Sequence, residues 1–213
     1  FATESEETLI KKIRELNARA DVNGILVQLP LPTQDADRVI AEIDPLKDVD
    51  GFHPVNLEKL ENGKPAIASA VALGILKLIG EVLPTFQGGM KGGLSLRATI
   101  ISSPLFAKPL SILLRERGVT TTVVQYDDAN LAEAIRDADI LIVAVGQPGL
   151  ITGDMVKPGA IVISFSDATN EVRALVKVAV TPDSTTARRI VDVDLHGIQA
   201  VLPGMTAAGT GSI

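Results

Sequence analysis

The sequence predicts an α/β protein of two lobes, and three observations support this fold class. Strand-like and helix-like segments alternate between residues 97 and 165, the order expected of a parallel sheet with right-handed crossovers. Residues 140–145 form the apolar run Ile-Leu-Ile-Val-Ala-Val, which is typical of a strand covered on both faces. Four glycines within residues 88–93 indicate a boundary between the lobes. The predicted boundary between the lobes therefore lies between residues 87 and 88.

Composition limits the function classes. Of the 213 residues, 46% are hydrophobic but only 3% are aromatic, so aliphatic side chains must build the cores of one large domain or two small ones. The net charge of −6 argues against nucleic acid or an anionic membrane as a partner, because phosphate groups are bound by clustered basic residues. The absence of cysteine excludes disulfides and thiolate chemistry and fits a cytoplasmic location. No apolar run approaches the roughly 20 residues of a membrane span.

The first lobe is predicted to begin with a helix over residues 4–17, since apolar residues at positions 9, 10, 13 and 16 share one helical face. An apolar strand over residues 24–29 follows and is stopped by two prolines. A helix over residues 36–43 comes next, with Asp35 as its N-cap. Residues 57–68 are predicted to be polar loop, and a further helix runs from residue 69 to about residue 82.

Two polar features of this lobe suggest a binding or catalytic site. Gln28 ends the predicted buried strand and must find hydrogen-bond partners there, which a ligand or the strand end itself could supply. Asp48 and Asp50, followed by Gly51, predict a tight turn that aims a carboxylate, although acidic turns also occur for purely structural reasons. Their joint occurrence favours a functional interpretation.

In the second lobe, strands are predicted at residues 97–101, 121–125, 140–145 and 160–165, with helices at 108–116 and 130–137. This order predicts a Rossmann-like, dinucleotide-binding sheet, in which ligands bind at the carboxyl ends of the strands. The residues at those ends are Ser102, Gln125, Gly146 and Phe165. A further strand is expected near residues 191–195.

The turn after the first strand of this sheet is expected to hold phosphate groups. A dinucleotide turn lets the backbone and a helix N-terminus approach the pyrophosphate. Candidate contacts are Ser102, Ser103, Pro104 and Lys108, and the alternative is a turn that binds no ligand. At the next strand end, Asp127 and Asp128 would accept hydrogen bonds from an adenosine ribose and repel a 2′-phosphate, which favours NAD over NADP. Asp128 could instead serve only as a helix N-cap.

Four segments carry a family resemblance. They are Val-Gln-Leu-Pro-Leu-Pro at 27–32, Lys-Asp-Val-Asp-Gly-Phe-His-Pro at 47–54, Ala-Asp-Ile-Leu-Ile-Val-Ala-Val-Gly-Gln-Pro at 138–148 and Met-Val-Lys-Pro-Gly-Ala-Ile-Val-Ile at 155–163. In content and order they resemble the bifunctional methylenetetrahydrofolate dehydrogenase/methenyltetrahydrofolate cyclohydrolase family. The resemblance implies a folate-binding first domain over residues 1–87, an NAD(P)-binding second domain over residues 88–196, and a C-terminal segment over residues 197–213 that returns to the first.

The resemblance also implies roles for single residues. Gln28 would lie beside a catalytic lysine and Asp50 would bind the pterin ring, so both are expected to act in catalysis and in substrate binding. Pro203 and Gly204 match a segment that contacts folate. NAD or NADP is the expected cofactor and a tetrahydrofolate derivative the substrate. The full set of expected cofactor contacts is Ser102, Ser103, Pro104, Lys108, Asp127, Asp128, Gly146, Ser166 and Asp167. No metal is expected, because His196 has no second histidine or cysteine nearby.

The chain also departs from the family pattern. The family's Pro-Cys-Thr-Pro-x-Gly motif is Ser-Ala-Val-Ala-Leu-Gly at 69–74, and the phosphate turn lacks both family glycines. The family's Tyr-x-x-x-Lys does not occur, since Tyr126 is the only tyrosine and is followed four residues later by Asn130. The implied function is thus a cytoplasmic, homodimeric oxidoreductase and hydrolase of one-carbon metabolism, with little or no activity expected of this polypeptide. The alternatives are a non-catalytic binding relative and, since the chain starts at Phe1, a shortened derivative.

Overall fold

The computed structural model describes residues 4–86, 95–147, 150–166, 173–178 and 191–194. The helices are α1 (Glu6–Asn17), α2 (Ala36–Ile40), α3 (Pro54–Glu61), α4 (Ala70–Val82), α5 (Pro104–Glu116) and α6 (Leu131–Arg136). The strands are β1 (Arg97–Ile101), β2 (Thr120–Val124), β3 (Ile140–Val143), β4 (Ile161–Ser166), β5 (Arg173–Val178) and β6 (Val191–Asp194). The chain divides into two compact units, residues 1–77 with 103–118 and residues 78–102 with 119–213.

The first unit begins with α1, as the sequence predicts. The Ser5 hydroxyl caps the helix by accepting a hydrogen bond from the Thr8 amide at 3.2 Å. Ile10 and Ile13 are buried on its inner face. Ile13 packs in a core cluster with Ile25, Val39 and Ile43. The apolar face of α1 therefore fixes the helix against the segments that carry the candidate site.

The prediction of a strand over residues 24–29 is wrong. Only Ile25 pairs, in a single parallel bridge with Asp48, and the Ile25 amide donates to the Lys47 carbonyl at 2.7 Å. A strand needs a neighbour along its whole length, and among the described residues this segment finds a partner for one residue only. Leu26 is accordingly 56% exposed. The apolar, β-branched composition favours an extended chain here but does not supply a partner strand.

Two helices of the first unit differ from prediction. Helix α2 is capped by Asp35 as expected, with the Arg38 amide donating to its carboxylate at 3.2 Å, but it ends at Ile40. Helix α3 occupies residues that overlap the predicted polar loop. Pro54 at the first helical position is the sequence signal that indicates this helix, since proline is favoured there.

The second unit contains one sheet with the strand order β2-β1-β3-β4-β5-β6. Strands β1 to β4 are mutually parallel, which confirms the predicted α/β class and parallel sheet. Strands β5 and β6 extend it antiparallel, which the sequence does not indicate beyond a strand near residue 191. Observed and predicted strand limits differ by one or two residues. Because β1 has β2 on one side and β3 on the other, the sheet has a topological switch point between β1 and β3.

Buried aliphatic side chains hold this sheet together. Helix α6 packs on one face through Leu131 and Ile135, against Ile101, Leu141 and Val143. Helix α5 starts at Pro104 rather than at residue 108, and it belongs to the first compact unit. The predicted boundary between residues 87 and 88 lies outside the described residues and stays a prediction. In the described part of the chain, no helix combines the length and apolar character needed to cross a membrane.

Candidate ligand-binding site

The acidic turn in the first unit is built by Asp48. Its side chain is only 1% exposed. One carboxylate oxygen accepts a hydrogen bond from the Gly51 amide at 3.2 Å, and the other accepts from the His53 amide at 2.9 Å and the Asn56 amide group at 3.0 Å. Three donors thereby compensate the burial of one charge. Asp48 is a structural residue that closes residues 48–53 into a turn.

His53 and Asn56 brace this turn against the rest of the unit. The His53 Nδ1 accepts from the Val55 amide at 3.1 Å and so caps α3, which leaves the hydrogen on Nε2 to donate to the Ala41 carbonyl at 3.1 Å. Asn56 also donates to the Pro45 carbonyl at 2.8 Å. Both side chains are buried, at 5% and 2% exposure. Hydrogen bonds to the Ala41 and Pro45 carbonyls therefore hold the acidic turn against the segment that precedes it.

Asp50 lies on the same turn but in a different situation. Its side chain is half-buried, and its carboxylate accepts no hydrogen bond from the described residues. Burial first, and the nearby Asp48 carboxylate second, raise the pKa of Asp50 above its ordinary value. A partly desolvated carboxylate without a protein donor is suited to accept hydrogen bonds from a ligand.

Gly51 shows how tightly this turn is packed. Its φ of +71° favours glycine, and a Cβ at this position would lie 2.5 Å from the Ser69 nitrogen and 2.7 Å from the Ala68 carbonyl carbon. No other residue fits without moving the backbone. The close approach brings the start of α4, where the family motif is altered, next to the acidic turn.

Gln28 does not have the environment expected of it. The residue is exposed, and its carboxamide nitrogen donates to the neighbouring Leu29 carbonyl at 3.3 Å. The expected burial is wrong because the strand that would have enclosed Gln28 does not form. Its flanking residues Val27 and Leu29 do line a small cavity together with Asp50. The space inside this cavity is about 10 Å³, roughly the least in which one water fits, so the cavity cannot hold a ring by itself.

The carboxyl edge of the parallel sheet is a separate candidate site, in the second unit. At the switch point, the Ser102 amide donates to the Val124 carbonyl at 3.3 Å, and the Ala144 amide donates to the Ile101 carbonyl at 2.9 Å. Ser102 is 2% exposed. Gly146, just past β3, is exposed with a φ of +63°, and no atom lies within 4 Å of where its Cβ would be. Main chain at Gly146 is thus open to a close ligand.

The predicted phosphate-contact residues adopt different roles. Ser103 is the N-cap of α5, and its hydroxyl accepts a hydrogen bond from the Phe106 amide at 3.3 Å. Pro104 follows at the first helical position, which suits proline. Lys108 is exposed on the second turn of α5 and makes no ion pair with a described residue. The charge of Lys108 is the feature of this turn most compatible with an anionic ligand.

The two aspartates after β2 also differ. The Asp128 carboxylate accepts a hydrogen bond from the Asn130 amide at 2.8 Å, and Asn130 is the N-cap of α6. The alternative interpretation of Asp128 as the N-cap is therefore wrong by two residues, because its side chain closes the local turn that precedes the helix. Asp127 is exposed and has no partner among the described side chains.

Other predicted contacts lie partly or wholly outside the described residues. Ser166 is the last residue of β4, but its side chain is not described, and Asp167, Pro203, Gly204 and His196 are not described at all. The structure describes no group of three or more histidine or acidic side chains that could hold a metal ion. The role of each of these residues stays a prediction.

Three residues of the acidic turn were not predicted from the sequence. His53, Asn56 and Lys47 all lie in or next to the quoted motif, of which only the aspartates were singled out. The Lys47 ammonium donates to the carbonyls of Leu16, Asn17 and Arg19, at 3.3, 2.7 and 2.8 Å. The sequence could have pointed to them, because Lys47 and His53 belong to the motif and Asn56 follows it by two residues. Their partners are distant in sequence and could not be inferred from it.

The fold and the site define a class of protein. A parallel α/β sheet with a topological switch point is typical of dinucleotide-binding proteins, and the first unit adds an acidic turn whose Asp50 carboxylate has no donor among the described residues. The chain belongs to the tetrahydrofolate dehydrogenase/cyclohydrolase family: the catalytic-domain model of that family matches residues 1–50 and its NAD(P)-binding-domain model matches residues 70–207.

Individual relatives agree with this assignment. The chain is 46% identical over 160 residues to the bifunctional protein FolD 1 of Rhizorhabdus wittichii, covering 74% of this chain and 52% of that protein. A crystal structure of the bifunctional FolD enzyme of Campylobacter jejuni matches with a TM-score of 0.61 at 34% identity, covering 75% of this chain and 55% of the other. The FolD structure of Trypanosoma brucei, complexed with NADP and an inhibitor, matches with a TM-score of 0.63 at 28% identity, covering 90% and 61%. The chain spans about half the length of the curated relatives it matches.

Proposed function

We propose that this chain supplies the folate-binding turn and the dinucleotide-binding sheet of a methylenetetrahydrofolate dehydrogenase/cyclohydrolase. The reaction transfers hydride from 5,10-methylenetetrahydrofolate to NAD(P)⁺ and then hydrolyses the methenyl product to 10-formyltetrahydrofolate. Membership of the family and the environment of Asp50 support this proposal. A non-catalytic binding relative is the alternative, and methenyl-folate formation above background in an absorbance assay would exclude it.

The observation that carries the proposal is the contrast between the two aspartates of the turn. Asp48 uses its carboxylate on three protein donors, whereas Asp50 is half-buried and receives none from the described residues. The N–H groups of a pterin ring are donors of the kind that Asp50 lacks. In this proposal Asp50 anchors the ring and Gln28 adjusts the acid–base lysine that the family uses.

The residues present also fit a nicotinamide dinucleotide. Ser102 and Gly146 come after β1 and β3, the strands on either side of the switch point, and the open main chain of Gly146 permits a close approach. Asp127 lies exposed after β2, where it would accept hydrogen bonds from a ribose. When bound, the cofactor accepts the hydride, while the protein orients it. Further proposed contacts are Ser103, Pro104, Lys108, Asp128, Ser166 and Asp167.

Two broader properties belong to the same proposal. We expect a homodimer, which sedimentation equilibrium on the purified chain would check. A cytoplasmic location is compatible with the absence of cysteine from the sequence. Little turnover is expected of the 213-residue polypeptide, since the Gln28 amide does not titrate and the Lys47 ammonium is held by three carbonyls.

Calorimetric titration with a non-reactive folate analogue tests the proposal. The wild-type chain should bind one equivalent, and Asp50→Ala should bind more weakly by about 1–3 kcal/mol, the usual loss for one charged hydrogen-bond partner. Asp21→Ala is the matched control, because Asp21 is an exposed carboxylate of the same unit that pairs with Arg19. Equal affinity of wild type and Asp50→Ala would refute the role of Asp50.

A further inference from the structure

The Lys47 side chain closes the carboxyl end of α1. Its ammonium donates to the carbonyls of Leu16, Asn17 and Arg19, at distances between 2.7 and 3.3 Å. The last carbonyls of a helix have no partners within the helix, and the negative end of its dipole favours a cation. All three donor positions of the ammonium are therefore used on one helix end.

The Lys47 backbone connects the segment that leads to Gln28 with the acidic turn that carries Asp50. Its carbonyl accepts a hydrogen bond from the Ile25 amide at 2.7 Å, and its amide donates to the Asp44 carbonyl at 2.7 Å. The next residue, Asp48, forms the bridge with Ile25 and closes the acidic turn. Lys47 thus links α1, the segment that leads to Gln28, and the turn that carries Asp50.

A second side chain strengthens this link from the helix side. The Asn17 carboxamide donates to the Glu42 carbonyl at 2.7 Å and accepts from the Asp44 amide at 2.9 Å. The end of α1 is consequently tied to residues 42–48 by two side chains that bond backbone groups, Lys47 and Asn17. A motion of the acidic turn relative to α1 would have to break bonds made by Lys47, by Asn17 or by both.

We propose that Lys47 is a positioning residue for ligand binding at Asp50, acting through the α1 carbonyls that its ammonium holds. The inference rests on the proposed folate-binding role of Asp50. Lys47 does not touch the ligand; it sets where the acidic turn lies and how deeply Asp50 is enclosed. Loss of the ammonium leaves residues 44–48 tied to the end of α1 only through Asn17 and lets the turn relax toward solvent.

Lys47→Met tests this proposal, because methionine keeps the apolar stem and removes the donors. We expect a folate analogue to bind about tenfold more weakly, the loss that weakening one hydrogen bond to a charged group produces. Lys47→Arg, which keeps donors and charge, should restore most of the affinity. Arg14→Met is the matched control: it removes an exposed ion pair with the Glu42 side chain but none of the bonds of Lys47 or Asn17, and it should leave binding unchanged.

The pKa of Asp50, measured by NMR from the chemical shift of its carboxyl carbon as the pH is varied, supplies a second readout. A loss of folding stability alone would not change this pKa. Burial is the main cause of the raised pKa of Asp50, with the facing Asp48 carboxylate second, so relaxation of the turn should bring that pKa down toward its ordinary value in Lys47→Met. An Asp50 titration and an affinity that both match wild type would overturn the proposal.

Two further outcomes are also decisive. If Lys47→Met does not fold, Lys47→Gln, which removes the charge and shortens the side chain, replaces it and should lower the pKa of Asp50 and weaken binding in the same direction; an unchanged Lys47→Gln overturns the proposal. If the wild-type chain does not bind the analogue, the proposed function fails, whereas the Asp50 titration in the Lys47 variants still decides whether Lys47 sets the position of the turn.

Discussion

Two aspartates separated by one residue have different roles in this chain. Asp48 is almost fully buried, yet the amides of Gly51 and His53 and the side chain of Asn56 compensate its charge. Asp50 is less buried but lacks such donors in the described part of the chain. The difference arises because all three of these donors contact the Asp48 carboxylate and none contacts that of Asp50. At the scale of single residues, Asp48 specifies the fold and Asp50 is left for a ligand.

This difference predicts an effect of Asp50→Asn on stability. The pKa of Asp50 is raised in the folded protein, so the folded state favours the protonated carboxyl, and ionisation destabilises it as the pH rises through that pKa. Asp50→Asn removes the charge and should raise the free energy of unfolding at neutral pH. The gain should vanish in acid, below the ordinary pKa of an aspartate at about 3.9. Urea unfolding at a series of pH values measures this.

Asp21→Asn provides a control of opposite sign. A hydrogen bond from Arg19 holds the pKa of Asp21 below its ordinary value, so its ionised form favours the folded state. Asp21→Asn should therefore leave stability unchanged or slightly lower at neutral pH. A loss of stability in Asp50→Asn at neutral pH would contradict the described environment of Asp50.

At the scale of elements, Asp139 ties three strands together at their amino ends. The carboxylate pairs with the Lys157 ammonium and accepts a hydrogen bond from the Arg97 amide at 2.9 Å. Its main chain bonds Arg97 and Ile161, the first residues of β1 and β4. This arrangement anchors the end of the sheet opposite to the carboxyl edge, where the ligand is proposed to bind.

Asp139→Asn should destabilise the protein at neutral pH. Burial opposes ionisation of Asp139, but the hydrogen bonds from Lys157 and the Arg97 amide outweigh it and hold the pKa below its ordinary value. The contribution to stability is present above the unfolded-state pKa and is lost as the pH falls through the folded-state pKa. Thermal unfolding should show the deficit of Asp139→Asn shrinking in acid.

The neighbouring Asp137 is a matched control for that measurement. Asp137 is 74% exposed and makes a surface pair with Arg97 at 3.3 Å, so Asp137→Asn should change stability little. Equal effects of the two substitutions would show that Asp139 does not anchor the strands.

The end of β2 predicts a preference for NAD over NADP. The exposed Asp127 carboxylate would repel a 2′-phosphate, so Asp127→Asn should reduce the preference for NADH over NADPH by about threefold to tenfold. Fluorescence titration with each reduced cofactor measures this ratio, and Asp37→Asn, a substitution in α2 of the first unit, serves as the control. A wild-type chain that binds NADPH as tightly as NADH would contradict the prediction.

A comparison of two kinds of apolar run shows which elements could be predicted from the sequence. Strands β1 to β4 could be predicted because apolar runs such as residues 140–143 are buried on both faces and carry their own signal. The run at residues 24–29 has a similar composition, but pairing depends on a neighbour that composition does not reveal. Likewise, the sequence pointed to Asp50, whereas the role of Lys47 depends on carbonyls 28 to 31 residues away.

At the scale of the whole molecule, each unit carries one part of the proposed chemistry. The first contains the turn that presents Asp50, and the second contains the parallel sheet, in which Ser102 directly follows β1. The units differ from the family's two domains, because residues 103–118 belong to the first unit but lie within the stretch that the NAD(P)-binding-domain model matches. Central to the proposed function is the Asp50 carboxylate, which in its ionised form binds the folate ligand.

The pH dependence of folate-analogue affinity tests this role of Asp50 most directly. Calorimetry on wild type and Asp50→Asn with the same analogue cancels any titration of the ligand itself. Because the pKa of Asp50 is raised and its ionised form is the acceptor, wild-type affinity should increase relative to Asp50→Asn as the pH rises through that pKa. Identical pH profiles for the two proteins would contradict the proposed role of Asp50.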